Sequence, residues 1–223
     1  MGKGYPGCHG TVGLISALSG MKKLPLDCRS DMLGKGDIIL LETPINPTGL
    51  ALNIQEFADK AHSTGAILVV DATFAPPGLQ DPFEHGADIV LHSGTKYLGG
   101  HSDMLCGVLA TKNADWHTQM KKDRFFLGGV MGNLEGWLGV RSMRTLHLRL
   151  ARQSKSATKL VAWLDSTLKT DANGEMQNGR RSETMAMTAV LSSVCHASLQ
   201  LADLEQGWLK HQMPNGFGPV FSI

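Results

Sequence analysis

At 223 residues, with 42% hydrophobic and 18% charged side chains, the chain has apolar material for a sizeable core. Its formal net charge of +1 leaves no electrostatic footprint for nucleic acid or an anionic membrane, and neither is expected as a partner. No apolar run reaches the length of a bilayer span. The start, Met1-Gly2-Lys3-Gly4-Tyr5-Pro6, matches neither a signal peptide nor the myristoylation pattern, which wants Ser or Thr where Pro6 stands. The four cysteines, Cys8, Cys28, Cys106 and Cys195, lack metal-ligand spacing and fit a reducing compartment. A cytoplasmic location is the expectation.

In chain order, Asp37-Ile38-Ile39-Leu40-Leu41-Glu42 predicts a short buried strand, closed by the turn Pro44-Ile45-Asn46-Pro47-Thr48-Gly49. Residues 53–63 predict a helix with Ile54, Phe57, Ala58 and Ala61 on one stripe, Asn53 as its cap and Gly65 past its end. The next strand is expected over 66–70, stopping at Asp71, and a third over 87–92, delivering Ser93. A fourth is expected over 106–110. Apolar strands alternating with a helix argue for an α/β fold with a mostly parallel sheet covered on both faces. Such sheets bind ligands outside the carboxyl ends of their strands, where Asp71 and Ser93 fall. Residues 133–164 keep an apolar face through Leu134, Leu138, Leu146, Leu150, Val161 and Leu164, and predict a long helix or a pair leading to a second domain. The polar stretch 170–184 predicts a loop or disordered insert. Two further strands are expected after it, over 190–199 and 218–223.

The densest chemistry lies in Ser93-Gly94-Thr95-Lys96-Tyr97-Leu98-Gly99-Gly100-His101-Ser102-Asp103. Taken singly, its residues are ordinary. An Asp after a strand is usually a turn or cap residue, a Lys a solvated amine, and Ser or Thr a turn former. Together, at the ends of two neighbouring strands, Asp71, Ser93, Thr95 and Lys96 supply what pyridoxal phosphate requires. Lys96 offers the amine for a Schiff base and, when neutral, a proton carrier. Asp71 offers the acidic partner of the pyridine nitrogen, and the Ser93 and Thr95 hydroxyls suit the phosphate. Other readings fit less well. Gly100-His101-Ser102-Asp103-Met104 lacks the second Gly of a nucleophile elbow. Gly34-Lys35-Gly36 lacks the hydroxyl residue of a P-loop, and no dinucleotide-binding glycine pattern follows a strand. The spacing of His85, His92 and His101 suits no zinc site, so no metal is expected.

Three motifs carry a likeness: Glu42-Thr43-Pro44-Ile45-Asn46-Pro47-Thr48, Val70-Asp71-Ala72-Thr73-Phe74-Ala75-Pro76-Pro77, and Gly86-Ala87-Asp88-Ile89-Val90-Leu91-His92 running into the Ser93–Asp103 segment. A fourth, weaker one is Trp137-Leu138-Gly139-Val140-Arg141-Ser142-Met143-Arg144-Thr145-Leu146. Through them residues 5–164 resemble the trans-sulfuration, or Cys/Met-metabolism, family of pyridoxal-phosphate enzymes, which includes cystathionine γ-synthase, γ-lyase and β-lyase. The tail Gly100-His101-Ser102-Asp103 separates that family from aminotransferases of the same fold.

The resemblance implies the fold of the aspartate-aminotransferase type I class and pyridoxal 5′-phosphate as cofactor. It makes Lys96 the Schiff-base lysine and catalytic base, Asp71 the ring-nitrogen partner, and Ser93 and Thr95 phosphate ligands. Asn46 would stand near the cofactor's phenolic oxygen. Tyr5, in Tyr5-Pro6-Gly7-Cys8, would stack on the ring and act as an acid or base, an assignment that rests on the likeness alone. The implied reaction is elimination or replacement at a C–S bond at Cβ or Cγ of a sulfur amino acid, such as cystathionine, or of an activated homoserine. The implied assembly is a homodimer or homotetramer. The expected division is a large cofactor domain over 1–150, and a connector helix with part of a C-terminal domain over 151–223. Gly10 stands where many relatives carry Arg. The upstream third of the pattern and the C-terminal Arg that binds substrate carboxylate are missing, so a chain truncated at both ends is expected. The alternative reading is a catalytically silent remnant of the same fold, or an interaction module.

Overall fold

The computed structural model describes residues 4–172 and 191–223. Four strands form one sheet in the order β1 (Ile38–Glu42), β2 (Ile67–Asp71), β3 (Ile89–Ser93) and β4 (Gly107–Thr111). The first three run parallel, and β4 lies antiparallel to β3. The expected α/β architecture is therefore present, with one reversed edge strand. Residues 94–106 are taken up by the turn that carries Lys96 and include no crossover helix to return the chain in the parallel sense.

Register explains the core. Ile39 pairs with Leu68, Leu41 with Val70, and Val70 with Val90, so their side chains share one face. That face is buried against Ile54, Ala58 and Ala61 of a helix over Ile54–His62. Asn53 occupies the helix's N-cap position, but its side chain makes no capping bond, contrary to expectation. The opposite face, with Leu40, Val69 and Leu91, is only half-buried rather than covered. A cavity of about 780 Å³ accounts for part of this, walled by Leu91, Leu109 and the Met120, Lys121 and Arg124 side chains.

In chain order the longer helices are α1 (Pro6–Ser19), α2 (Ile54–His62), α3 (Ala114–Phe126), α4 (Asn133–Met143) and α5 (Leu146–Ala172). The pair expected over 133–164 is α4 and α5. α5 runs on through 170–172, where a loop was expected, and the rest of that expected loop, 173–184, lies outside the described residues. Two short helices follow, α6 (Leu201–Glu205) and α7 (Trp208–Gln212). The two strands expected near the end reduce, among the described residues, to a single antiparallel bridge between Cys195 and Ser222. Gly216 and Gly218, at φ +131° and +84°, take the chain out of extended geometry just before the bridge. Val190 lies outside the described residues. No helix among the described residues is long and apolar enough to cross a membrane.

The C-terminal segment packs back onto the strand–helix connections. Gln212 Oε1 accepts from the Ile54 amide at 2.9 Å, while its Nε2 donates to Leu52 O at 3.0 Å. Gln200 brackets Ala51 in the same way, accepting from its N–H at 2.7 Å and donating to its carbonyl at 3.1 Å. Leu146 and Leu150 of α5 share a second core with Leu79, Ala197, Leu209 and Met213.

His196 lies within this segment, fully buried. Its Nδ1 accepts from Ser198 N at 3.2 Å and its Nε2 donates to Gly218 O at 3.1 Å, an arrangement that uses the neutral ring. Burial pushes its pKa below the ordinary 6.5, and burial lowers those of His92 and His85 as well. For each, the unfolded chain binds more protons than the folded one in the interval between the lowered and the ordinary value. Stability is therefore complete above that interval and is lost as pH falls through it. Thermal melts should show the midpoint falling as pH drops below the ordinary histidine value of 6.5, and a midpoint flat on that side would contradict this reading.

Candidate active site

Glu42, Asp71 and Ser93 end three neighbouring parallel strands, which brings their side chains to one edge of the sheet. A cavity of about 120 Å³ opens there. Its wall includes all six residues singled out from sequence: Tyr5, Asn46, Asp71, Ser93, Thr95 and Lys96. Glu42, Thr73, Phe74 and Leu105 complete much of the rest. The larger cavity of about 780 Å³ shares Tyr5, Asp71 and Ser93 with it, so the two adjoin at those side chains.

Asp71 is only 7% exposed. Its Oδ1 accepts from the Thr73 N–H at 3.0 Å and from the Thr73 hydroxyl at 2.5 Å. The same hydroxyl accepts from Ser93 N–H at 2.9 Å. Oδ2 takes no hydrogen bond among the described residues. A buried carboxylate needs donors, and here the described residues satisfy one oxygen. His92, beside Ser93, is buried, and its Nδ1 has no hydrogen-bond partner among the described residues.

Glu42, a motif residue with no role expected from sequence, organises two of the expected site residues. Its Oε2 accepts from Tyr5 N–H and its Oε1 from Asn46 N–H, each at 2.7 Å. One carboxylate thus ties the approach to α1 and the 44–49 turn to the end of β1. Burial raises the Glu42 pKa, the two N–H bonds oppose the rise, and Asp71 adds to it.

The lysine turn spans Gly94–Leu98, with Lys96 itself at φ −87° and ψ −110°, outside helical geometry. A Cβ at Gly94 would lie 2.1 Å from Cys106 Sγ and 3.3 Å from Cys106 O, so any side chain there would have to displace the Cys106 thiol. Arg149 of α5 pins the turn from behind, donating to Tyr97 O at 2.9 Å, Ser142 O at 3.0 Å and Thr145 Oγ1 at 3.1 Å. Further on, Arg141 donates to Asp103 at 2.6 Å and holds that carboxyl below its usual range. The Trp137–Leu146 motif therefore holds the Gly-His-Ser-Asp tail, through Arg141 on Asp103 and Ser142 beside His101, and gives Arg149, just beyond it, two of its acceptors. Tyr97, whose phenol burial pushes up to about 12, sets its ring edge-on to Phe74 at 6.4 Å.

These groups fit pyridoxal phosphate. Asp71 Oδ2 suits a ring N–H donor. Ser93 Oγ makes no hydrogen bond among the described residues, and Thr95 Oγ1 accepts from Cys106 N at 3.4 Å, which leaves its proton for an anion. Lys96 is the amine on the smaller cavity's wall.

The family described as Cys/Met metabolism PLP-dependent enzyme matches residues 23–172. The chain belongs to that family. It is 40% identical over 139 residues to the cystathionine γ-lyase of Dictyostelium discoideum, covering 62% of this chain and 36% of that protein. It is 39% identical over 140 residues to the cystathionine γ-synthase/O-acetylhomoserine (thiol)-lyase of Bacillus subtilis, covering 62% of this chain and 38% of that one. The chain thus spans somewhat over a third of the length of these curated relatives. The crystal structure of cystathionine γ-lyase from Lactobacillus plantarum, complexed with L-serine, superposes with a TM-score of 0.78 at 27% identity. That superposition covers 97% of this chain and 52% of the other. The type I fold of pyridoxal-phosphate enzymes, expected from the motifs, is the fold observed, and the family's cofactor is pyridoxal 5′-phosphate.

Proposed function

We propose that this chain carries the cofactor centre of a trans-sulfuration enzyme, one that eliminates or replaces at a C–S bond at Cβ or Cγ of cystathionine, or acts on an activated homoserine. The observation that supports this is the convergence of Lys96, Asp71, Ser93 and Thr95 on one cavity at the strand ends. When bound, the cofactor supplies a sink for the electron pair left by a broken Cα–H bond. Lys96 Nζ would hold it covalently and, as a neutral amine, would serve as the base for the substrate's Cα proton. Asp71 Oδ2 would keep a proton on the ring nitrogen, and Ser93 and Thr95 would donate to the phosphate. Asn46 would serve the phenolic oxygen. Tyr5, half-exposed at the cavity mouth, would cover the ring and act as an acid or base.

A homodimer or homotetramer in the cytoplasm is part of the same proposal. It is tested by supplying the purified chain with pyridoxal phosphate and offering cystathionine, methionine and an O-acylhomoserine. Release of a 2-oxo acid or a thiol from at least one of them is expected. Silence on all three would reject activity for this chain and favour the catalytically silent reading.

A further inference from the structure

One side chain joins the two ends of the smaller cavity. The parallel ladder between β2 and β3 closes with Ala72 N–H donating to Leu91 O at 3.0 Å. The next donor along β3, Ser93 N–H, meets no backbone carbonyl; the Thr73 hydroxyl takes it at 2.9 Å. Because that amide can only donate, the hydroxyl must accept there and must spend its own proton on Asp71 Oδ1, 2.5 Å away. The Thr73 N–H adds a second bond to the same oxygen at 3.0 Å. The direction of every proton in the chain Ser93 N–H, Thr73 O–H, Asp71 Oδ1 is thus settled by donor inventory alone. A hydroxyl that accepts one bond donates the other more strongly, and a β-branched residue anchored through its own amide has little rotamer freedom.

We propose that Thr73 is a positioning residue that couples the ring end of the cofactor site to its phosphate end. Its hydroxyl turns the Asp71 carboxylate so that Oδ2 faces the cavity, and with the same atom it holds the amide at the start of the turn that bears Ser93, Thr95 and Lys96. A shift of either end is transmitted to the other through one oxygen. The inference rests on the reading that Asp71 and Ser93 face pyridoxal phosphate.

The test compares Thr73→Val, which keeps the shape and loses the hydroxyl, with Thr73→Ser, which keeps the hydroxyl. Pyridoxal-phosphate affinity is measured per folded molecule, with near-ultraviolet circular dichroism as the folding control, and the pH midpoint of the visible band is recorded. Loss of one charge-assisted bond predicts that Thr73→Val weakens binding roughly tenfold or more. A less firmly held carboxylate leaves less positive charge on the ring, so the band's pH midpoint moves upward. Thr73→Ser should restore both. Should Thr73→Val not fold, Thr73→Ala is read by the same two measurements against the same Ser rescue. Wild-type affinity with an unmoved midpoint in a variant lacking the hydroxyl overturns the coupling while leaving the cofactor reading intact. Failure of the wild-type chain to load cofactor at all overturns both.

Discussion

Replacing Lys96 with Ala should abolish covalent cofactor attachment and lower any turnover by about 10⁴-fold or more, since one amine serves as both the anchor and the proton carrier. Lys96 lies on the smaller cavity's wall together with Asp71, Ser93 and Thr95, at the apex of a turn held by Arg149 and admitted by Gly94. Another amine, Lys121 of α3, lines the larger cavity that adjoins the smaller one. Lys121→Ala therefore serves as the control. The visible band of loaded protein should vanish in the Lys96 variant and persist in the Lys121 variant. The reverse outcome would move the covalent site to α3 and reject the assignment.

The second large effect is expected from Asp71→Asn. The two Thr73 donors on Oδ1 would select the amide oxygen for that position, which forces the NH₂ group toward the cavity where Oδ2 now lies. A donor would then face the ring nitrogen, which could no longer keep its proton, and the electron sink would be lost. Turnover should fall by about 10³-fold, within the range for misplacing one catalytic proton. Cofactor should still reach Lys96, with affinity weakened roughly tenfold by loss of one charged pairing. Steady-state rates with titrated cofactor check both parts. A variant with wild-type turnover would show that Asp71 does not serve the ring.

Much of this site was legible in sequence because it is built on strand ends. Apolar runs stopping at Glu42, Asp71 and Ser93 give parallel neighbours, and parallel neighbours present their carboxyl ends together. The contributions of Glu42 and Thr73 were not legible, since each includes a hydrogen bond to a backbone amide far along the chain, Tyr5 N–H for Glu42 and Ser93 N–H for Thr73. The helix α1 gave no signal either: it buries no residue, and its glycines at 7, 10 and 13 read as loop. α3 likewise buries nothing and shows no apolar stripe to find. The two final strands failed for the opposite reason. Their apolar residues suit a ladder, but among the described residues it reduces to the bridge between Cys195 and Ser222, with Gly216 and Gly218 leaving extended geometry just before it.

The central claim is most directly tested by loading the chain with pyridoxal phosphate, reducing with borohydride and locating the attached group by peptide mass mapping. The expected result is one pyridoxyl group per chain, on the peptide carrying Lys96, and no modification of that peptide in Lys96→Ala. An unmodified Lys96, or an adduct scattered over surface lysines, would contradict it.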